Sequence, residues 1–236
     1  MLDFHFIHIY SNPQIDANVL ADGIVKIFPG RKVDVRRSFT HNDRVQGARI
    51  SDIKQPFEKQ PEQETGDVMP LYDGFILQRI FAEMIPSVEG NHVHIIPTSL
   101  LTCTFSEDDW RYHGRTVICG SPSIISTTGI VEAPAKPREF YVAQLGNMAE
   151  VGNSKMPFAG RFIDYEESRI TAAASVYALQ SLFFFITSGE PFCKNKKCSL
   201  YNAHWQEELI GMIEKGGLCN QHWQMADLFN KRSTKR

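Results

Sequence analysis

The chain opens on apolar, β-prone residues. Phe4, Phe6, Ile7 and Ile9 predict a strand from Leu2 to Tyr10, closed by Ser11-Asn12-Pro13. Asp16 suits the cap of a helix running to about Phe28, along which Val19, Leu20, Ile24, Ile27 and Phe28 recur at helical spacing. Pro29-Gly30 ends it. Lys32 to Phe39 then alternates around Val33 and Val35 as a second strand. A strand–helix–strand opening of this kind predicts parallel pairing, because the crossover returns the chain to the same end of the sheet.

His41 to Pro70 is polar and carries Pro56, Pro61 and Pro70, which predicts a long surface loop or flap. Tyr72 to Ile85 returns to helical spacing with Phe75, Ile76, Ile80, Phe81 and Met84 on one face. His92 to Pro97, Thr116 to Gly120 and Ser123 to Ser126 read as strands, Glu132 to Arg138 as a loop, and Phe140 to Leu145 as another short strand. From Glu166 the pattern changes. Arg169 to Ile186 is apolar on most sides and predicts a long buried helix, ended by Gly189-Glu190-Pro191. Two shorter helices follow, Ala203 to Ile213 and Cys219 to Asn230, separated by Gly216-Gly217.

The length, 236 residues, is that of one domain with a small appendage, and 42% hydrophobic residues with 16 phenylalanines suffice for a core. A formal net charge of −2 does not favour nucleic acid or an anionic membrane surface as partner. The longest apolar candidate for a membrane span, Ala172 to Ile186, is interrupted by Ser175, Gln180 and Ser181, and Asp3 and His5 break any leader-like start. A cytoplasmic location is the expectation, and in a reducing compartment the five cysteines are thiols or metal ligands rather than disulfides.

The chemistry concentrates near the C-terminus. Cys193-x4-Cys198 is followed, after 20 residues, by Cys219-x2-His222. Zinc takes four tetrahedral nitrogen or sulfur ligands, and two close pairs joined by a loop supply them. Lys194, Lys196 and Lys197 would offset thiolate charge. The expectation is one closed structural zinc, with no open position to activate water; iron also suits a sulfur-rich tetrahedron.

These cysteines, placed just after a long helix, resemble the archaemetzincins, metzincin-like zinc peptidases of archaea, bacteria and vertebrates. The family's active-site helix carries His-Glu-x-x-His-x-x-Gly-x-x-His, and the next residue is the first ligand of a structural zinc. Anchored at Cys193, that motif falls on Leu182 to Phe192. Gly189 matches the turn glycine. Leu182, Ile186 and Phe192 stand at the three ligand positions and Phe183 at the general base. Leu200 replaces the methionine after the second cysteine, and His222 replaces a fourth cysteine. No His-Glu-x-x-His occurs anywhere in the chain. The resemblance therefore implies a metzincin-like α/β (α+β) fold with a mixed, mostly parallel sheet over residues 1–190, and a zinc-stapled helical part over 191–236 packed on it as one compact unit. It implies a non-catalytic protein whose degenerate helix places Leu182 and Ile186 in the old cleft, and whose partner is a peptide or a protein.

The competing expectation is an active hydrolase with its metal relocated to His92 and His94, which face the same side of a strand. Its third ligand would come from His113, Asp108, Asp109 or Glu107, nearby in sequence. His5 and His8, three apart, face opposite sides and do not pair. Cys103 and Cys119 read as buried thiols, and Phe183-Phe184-Phe185 as core or, in an open cleft, as the lining of an apolar groove.

Overall fold

The computed structural model describes residues 3–38, 43–50, 69–86, 90–146 and 158–233. Five strands form the main sheet: β1 (Phe6–Tyr10), β2 (Lys32–Arg36), β4 (His92–Thr98), β7 (Val117–Ile118) and β8 (Ser123–Ser126), in the order β2-β1-β4-β8-β7. All neighbours are parallel except the last pair, β8 and β7. A smaller sheet joins β3 (Leu71–Asp73), β5 (Leu101–Ser106) and β6 (Arg111–Arg115). The mixed, mostly parallel α/β architecture is as expected.

Side-chain alternation divides the main sheet between two cores. Ile7, Ile9, Val93, Ile95 and Ile125 point to one face, where they meet α1 (Ala17–Ile27) and α5 (Arg169–Thr187). Tyr10, Ile96 and Ile124 point to the other, where they meet α2 (Gly74–Met84) and a 3-10 helix at Asp43–Ala48 through Leu77, Phe81, Val45 and Ala48. Each large apolar side chain fully buried this way contributes about 1.5–3 kcal/mol. Asp16 accepts the amides of Asn18 and Val19 and so caps α1, and Asp73 does the same for Phe75 and Ile76 of α2.

The central element is α5, 19 residues long and buried on nearly every side. By length and composition it is apolar enough to cross a membrane, yet most of it lies inside this core. Its hydroxyls survive burial by bonding one turn back: Ser175 to the Thr171 carbonyl, Ser181 to Tyr177 and Thr187 to Phe183. After α5 come α6 (Gln206–Lys215) and α7 (Asn220–Ser233). Their buried residues Leu209, Ile210, Ala226 and Phe229 join the same core as α1 and α5. Gln206 is fully buried and satisfied, donating to the carbonyls of Ile130 and Val131 and accepting the Ile163 amide.

Several expectations are corrected. Phe140 to Leu145 is not a strand but part of the helix α4 (Arg138–Gly146). A short apolar run has no decisive period, and Pro137, just ahead of it, favours a helix start, while Phe140 packs edge-on to Phe158 and Phe162. The polar stretch 41–70 is not loop throughout. Asp43–Ala48 is the 3-10 helix, and Arg49 bridges to Tyr72, while 41–42 and 51–68 lie outside the described residues. Residues 127–131, for which no element was expected, and Glu132, expected to open a loop, form the short helix α3 (Thr127–Glu132), started by the Ser126 hydroxyl on the Gly129 amide. The β5–β6 hairpin was also unforeseen, although Thr102, Thr104, Phe105 and Tyr112 carry β propensity.

Candidate metal centre and groove

The chain leaves α5 through Ser188 in the left-handed conformation and Gly189 at φ 114°, so the expected turn glycine is where positive φ demands it. It then closes a tight knuckle. The Cys193 amide donates to the Leu200 carbonyl at 2.7 Å, Cys198 to Asn195 at 3.0 Å, and Tyr201 to Cys198 at 2.9 Å. Ser199 fastens this loop to the start of α7, exchanging backbone and hydroxyl bonds with Gly217.

These constraints bring together the four residues expected from spacing. The ligand atoms of Cys193, Cys198, Cys219 and His222 all lie within 4.8 Å of one another. Cys193 Sγ and Cys219 Sγ are 3.9 Å apart, Cys198 Sγ and His222 Nδ1 3.8 Å, and Cys219 Sγ and His222 Nδ1 3.1 Å. Sulfurs about 2.3 Å from a tetrahedral ion stand about 3.8 Å apart, so the cluster is sized for a metal. Two of the sulfurs also receive backbone amides. The Asn195 amide points to Cys193 Sγ at 3.3 Å and the Cys219 amide to Cys198 Sγ at 3.4 Å. Burial, aided by the neighbouring sulfurs, pushes the Cys198 thiol up to about 11. For Cys219 the upward push of burial is outweighed by the backbone N–H groups of His222 and Gln221 and by the adjacent thiols, and its pKa is lowered. Burial lowers His222, keeping its imidazole neutral and able to ligate. A divalent cation is what lets the sulfurs ionise together. Of the three lysines, Lys196 pairs with Glu208 at 2.8 Å.

The knuckle leans on α5. The Gln180 amide donates to the Tyr201 carbonyl at 3.0 Å and to Ser199 at 3.4 Å, and His222 sits edge-on to Phe183, 5.6 Å between centroids. Between the knuckle, α5 and the β6–β7 strand run lies a groove of about 460 Å³. Here the expected orientation of the helix is wrong. Leu182 and Ile186 do not face a cleft; they are 0% and 1% exposed in the core. The helix lines the groove with Tyr177, Gln180 and Phe184, and the knuckle adds Phe192, Asn202 and His204. Thus Phe183 and Phe185 are core while Phe184 lines the groove. The error lies in counting back from Cys193: helix phase, set by packing on the sheet, decides which side faces out. Cys119 also lines the groove, but burial, only partly offset by the Ser181 hydroxyl, pushes its thiol up to about 12. Cys103 is buried and likewise pushed up to about 12. Neither is a ready thiolate at neutral pH.

His92 and His94 share one face of β4, but His113, Asp108, Asp109 and Glu107 belong to the β5–β6 hairpin of the other sheet, where His113 bonds Asp109 at 2.9 Å. The groups that join the pair come from β1 and β2. His8 Nε2 is 2.7 Å from His92 Nδ1, His8 Nδ1 is 2.6 Å from Asp34, and Tyr10 hydroxyl is 3.2 Å from His94 Nδ1. Burial, with the nearby His8 and Arg36, pushes His94 down to about 4, and burial also lowers His8. Sequence reasoning missed this grouping because it spans 84 residues and depends on strand register. The only available sign was a His-x-Tyr run in one predicted strand and a His-x-His run in another.

The family to which these features belong is shown by comparison. The chain belongs to a family described as "Probable metallopeptidase family (DUF6775)", which it matches over residues 3–229. No curated protein and no solved structure matches it. The match runs through sheet, groove and knuckle alike, so a metallopeptidase-like family and a cluster able to hold a metal stand together on one chain.

Proposed function

We propose that this metallopeptidase-family chain resembles the archaemetzincins in scaffold but has no catalytic metal on its long helix, holds one structural zinc at Cys193, Cys198, Cys219 and His222, and binds an extended peptide or protein segment in the groove. The observation that carries the reading is the groove wall itself: α5 presents Tyr177, Gln180 and Phe184 there. A catalytic zinc needs three ligands, an open position and a nearby base, and these side chains supply none. The four knuckle ligands fill a tetrahedron, which suits a structural ion. Three thiolates with one imidazole are a donor set that zinc takes, and the ion would add its binding energy to the fold, tying α7 to the end of α5. Free thiols in this role suit a reducing compartment, the cytoplasm.

The groove suits an extended chain. Among the described residues β7 ends the main sheet, and it lines the groove through Val117 and Ile118, so an added strand would pair there, while Phe184 and Phe192 offer apolar contact. The test incubates zinc-loaded protein with unfolded casein and follows cleavage by mass spectrometry, alongside fluorescence anisotropy with a labelled library of extended peptides. The expected result is no zinc-dependent cleavage and peptide binding weakened by Phe184→Arg. Zinc-dependent cleavage sinks the non-catalytic reading, and no peptide binding sinks the groove. Cleavage lost in His94→Asn would instead favour the hydrolase with a metal relocated to His92 and His94, a reading that gains from the arrival of His8 beside them.

A further inference from the structure

The parallel register of the main sheet places His8 opposite Asp34 on one side and His94 on the other, and Phe6 opposite His92. Because side chains alternate along a strand, His8, His92 and His94 rise from the same face. The His8 ring centroid lies 5.0 Å from that of His92 and 4.8 Å from that of His94. His8 Nδ1, held by the Asp34 carboxylate at 2.6 Å, carries the proton, so its Nε2 carries the lone pair. That nitrogen is 2.7 Å from His92 Nδ1 and 3.2 Å from the Arg36 guanidinium. His94 is 0% exposed; its Nδ1 meets the Tyr10 hydroxyl at 3.2 Å, and its Nε2 is buried with no hydrogen-bond partner among the described residues.

A histidine that ligates a metal habitually has its other ring nitrogen fixed by a carboxylate or another polar group. His8 and His94 both have this arrangement, with Asp34 and Tyr10 as the fixing groups. A buried polar nitrogen without a partner calls for an explanation, and an ion is one. The geometry points to a second metal site: His8, His92 and His94 take a divalent ion of the zinc, nickel or copper class, with Asp34 and Tyr10 as positioning residues. Three neutral imidazoles suit such ions, whereas magnesium and calcium want oxygen. The three nitrogens close on the ion by rotation of the His92 and His94 rings. Arg36, whose side chain is 37% exposed and also paired with Asp34, swings toward solvent as the ion enters. This site does not depend on the structural zinc or the groove; it is where the hydrolase reading would place its metal, and the ion count below is independent of any cleavage.

The full chain, purified without added metal or metal-affinity resin, is equilibrated with excess zinc, desalted and measured by elemental mass spectrometry; cobalt substitution is followed by absorption. The expected stoichiometry is two ions per chain. His8→Asn and His94→Asn each lower it to one while the thiolate-to-cobalt absorption of the knuckle persists, and Cys193→Ser removes that absorption but keeps the other ion. One ion in the wild type, or two that survive both histidine substitutions, overturns the proposal. His92→Asn, at a half-buried ring, gives the same reading if the buried variants fail to fold. Arg36→Ala separates a metal site from a mere hydrogen-bonded cluster: removing the competing cation tightens zinc binding about tenfold, and unchanged or weaker binding overturns the assignment.

Discussion

The knuckle and the histidine-bearing face of the sheet assemble side chains of similar chemistry in opposite ways. In the knuckle, four ligands from one 30-residue stretch converge to within 4.8 Å, and short backbone bonds within the loop hold them there. On the sheet face, three imidazoles from β1 and β4 are brought together only because those strands pair in one register, and their nitrogens are largely engaged by Asp34, Tyr10 and Arg36. The first region gathers sulfurs that repel one another once ionised, a repulsion that a bound cation would offset. The second is tied together by hydrogen bonds, burial lowers the pKa of His8 and His94, and an ion entering there must first displace Arg36.

That difference can be broken by substitution. The largest effect belongs to Cys193→Ser, which removes a ligand and most of the metal affinity. Because binding energy is folding energy, the melting temperature should fall by about 10 °C or more, with loss of bound zinc. An unchanged melting curve and zinc content would mean the knuckle folds without its ion. Next comes Ile186→Ala. At 1% exposure in the last buried turn of α5, it should cost about 2–5 kcal/mol by urea denaturation; Phe184→Ala, on the groove side of the same helix, should cost less than about 1 kcal/mol. Equal losses would contradict the helix orientation.

Acid should act on the sheet face. His94 sits at about 4, below its ordinary 6.5, so the unfolded chain binds the proton more readily. Its contribution is fully present above about pH 6.5 and is lost as the pH falls toward 4, a difference of about 3 kcal/mol. His94→Gln retains the knuckle, so the gap between the two stability–pH curves isolates this loss; parallel curves would show that His94 is not buried neutral. Smaller than the losses at Cys193, Ile186 and His94 is that of Gln180→Leu, which unpairs the Tyr201 and Ser199 carbonyls and should lower stability by about 1–3 kcal/mol. It should also weaken zinc retention against a chelator. If it lowers stability alone, the knuckle does not need its seat on α5.

Much of the architecture was legible in the chain. The opening strand, the helix capped by Asp16, the buried helix from Arg169 and the four-ligand knuckle follow from local periodicity, capping chemistry and short ligand spacing, each a property of neighbouring residues. Phe140 to Leu145 was misread because a six-residue apolar run fits either period, and what decides it is contact with Phe158 and Phe162 some 20 residues away.

Sequence alone determined that the chain has a buried long helix, a metal-binding spacing after it and no His-Glu-x-x-His, because these are statements about residues close together. Tertiary structure alone decided that Tyr177, Gln180 and Phe184 rather than Leu182 and Ile186 face the groove, and that His8 joins His92 and His94. Helix phase and strand register are set by packing between distant segments: a one-residue slip would turn the strand's side chains to the other face and rotate the helix by about 100°.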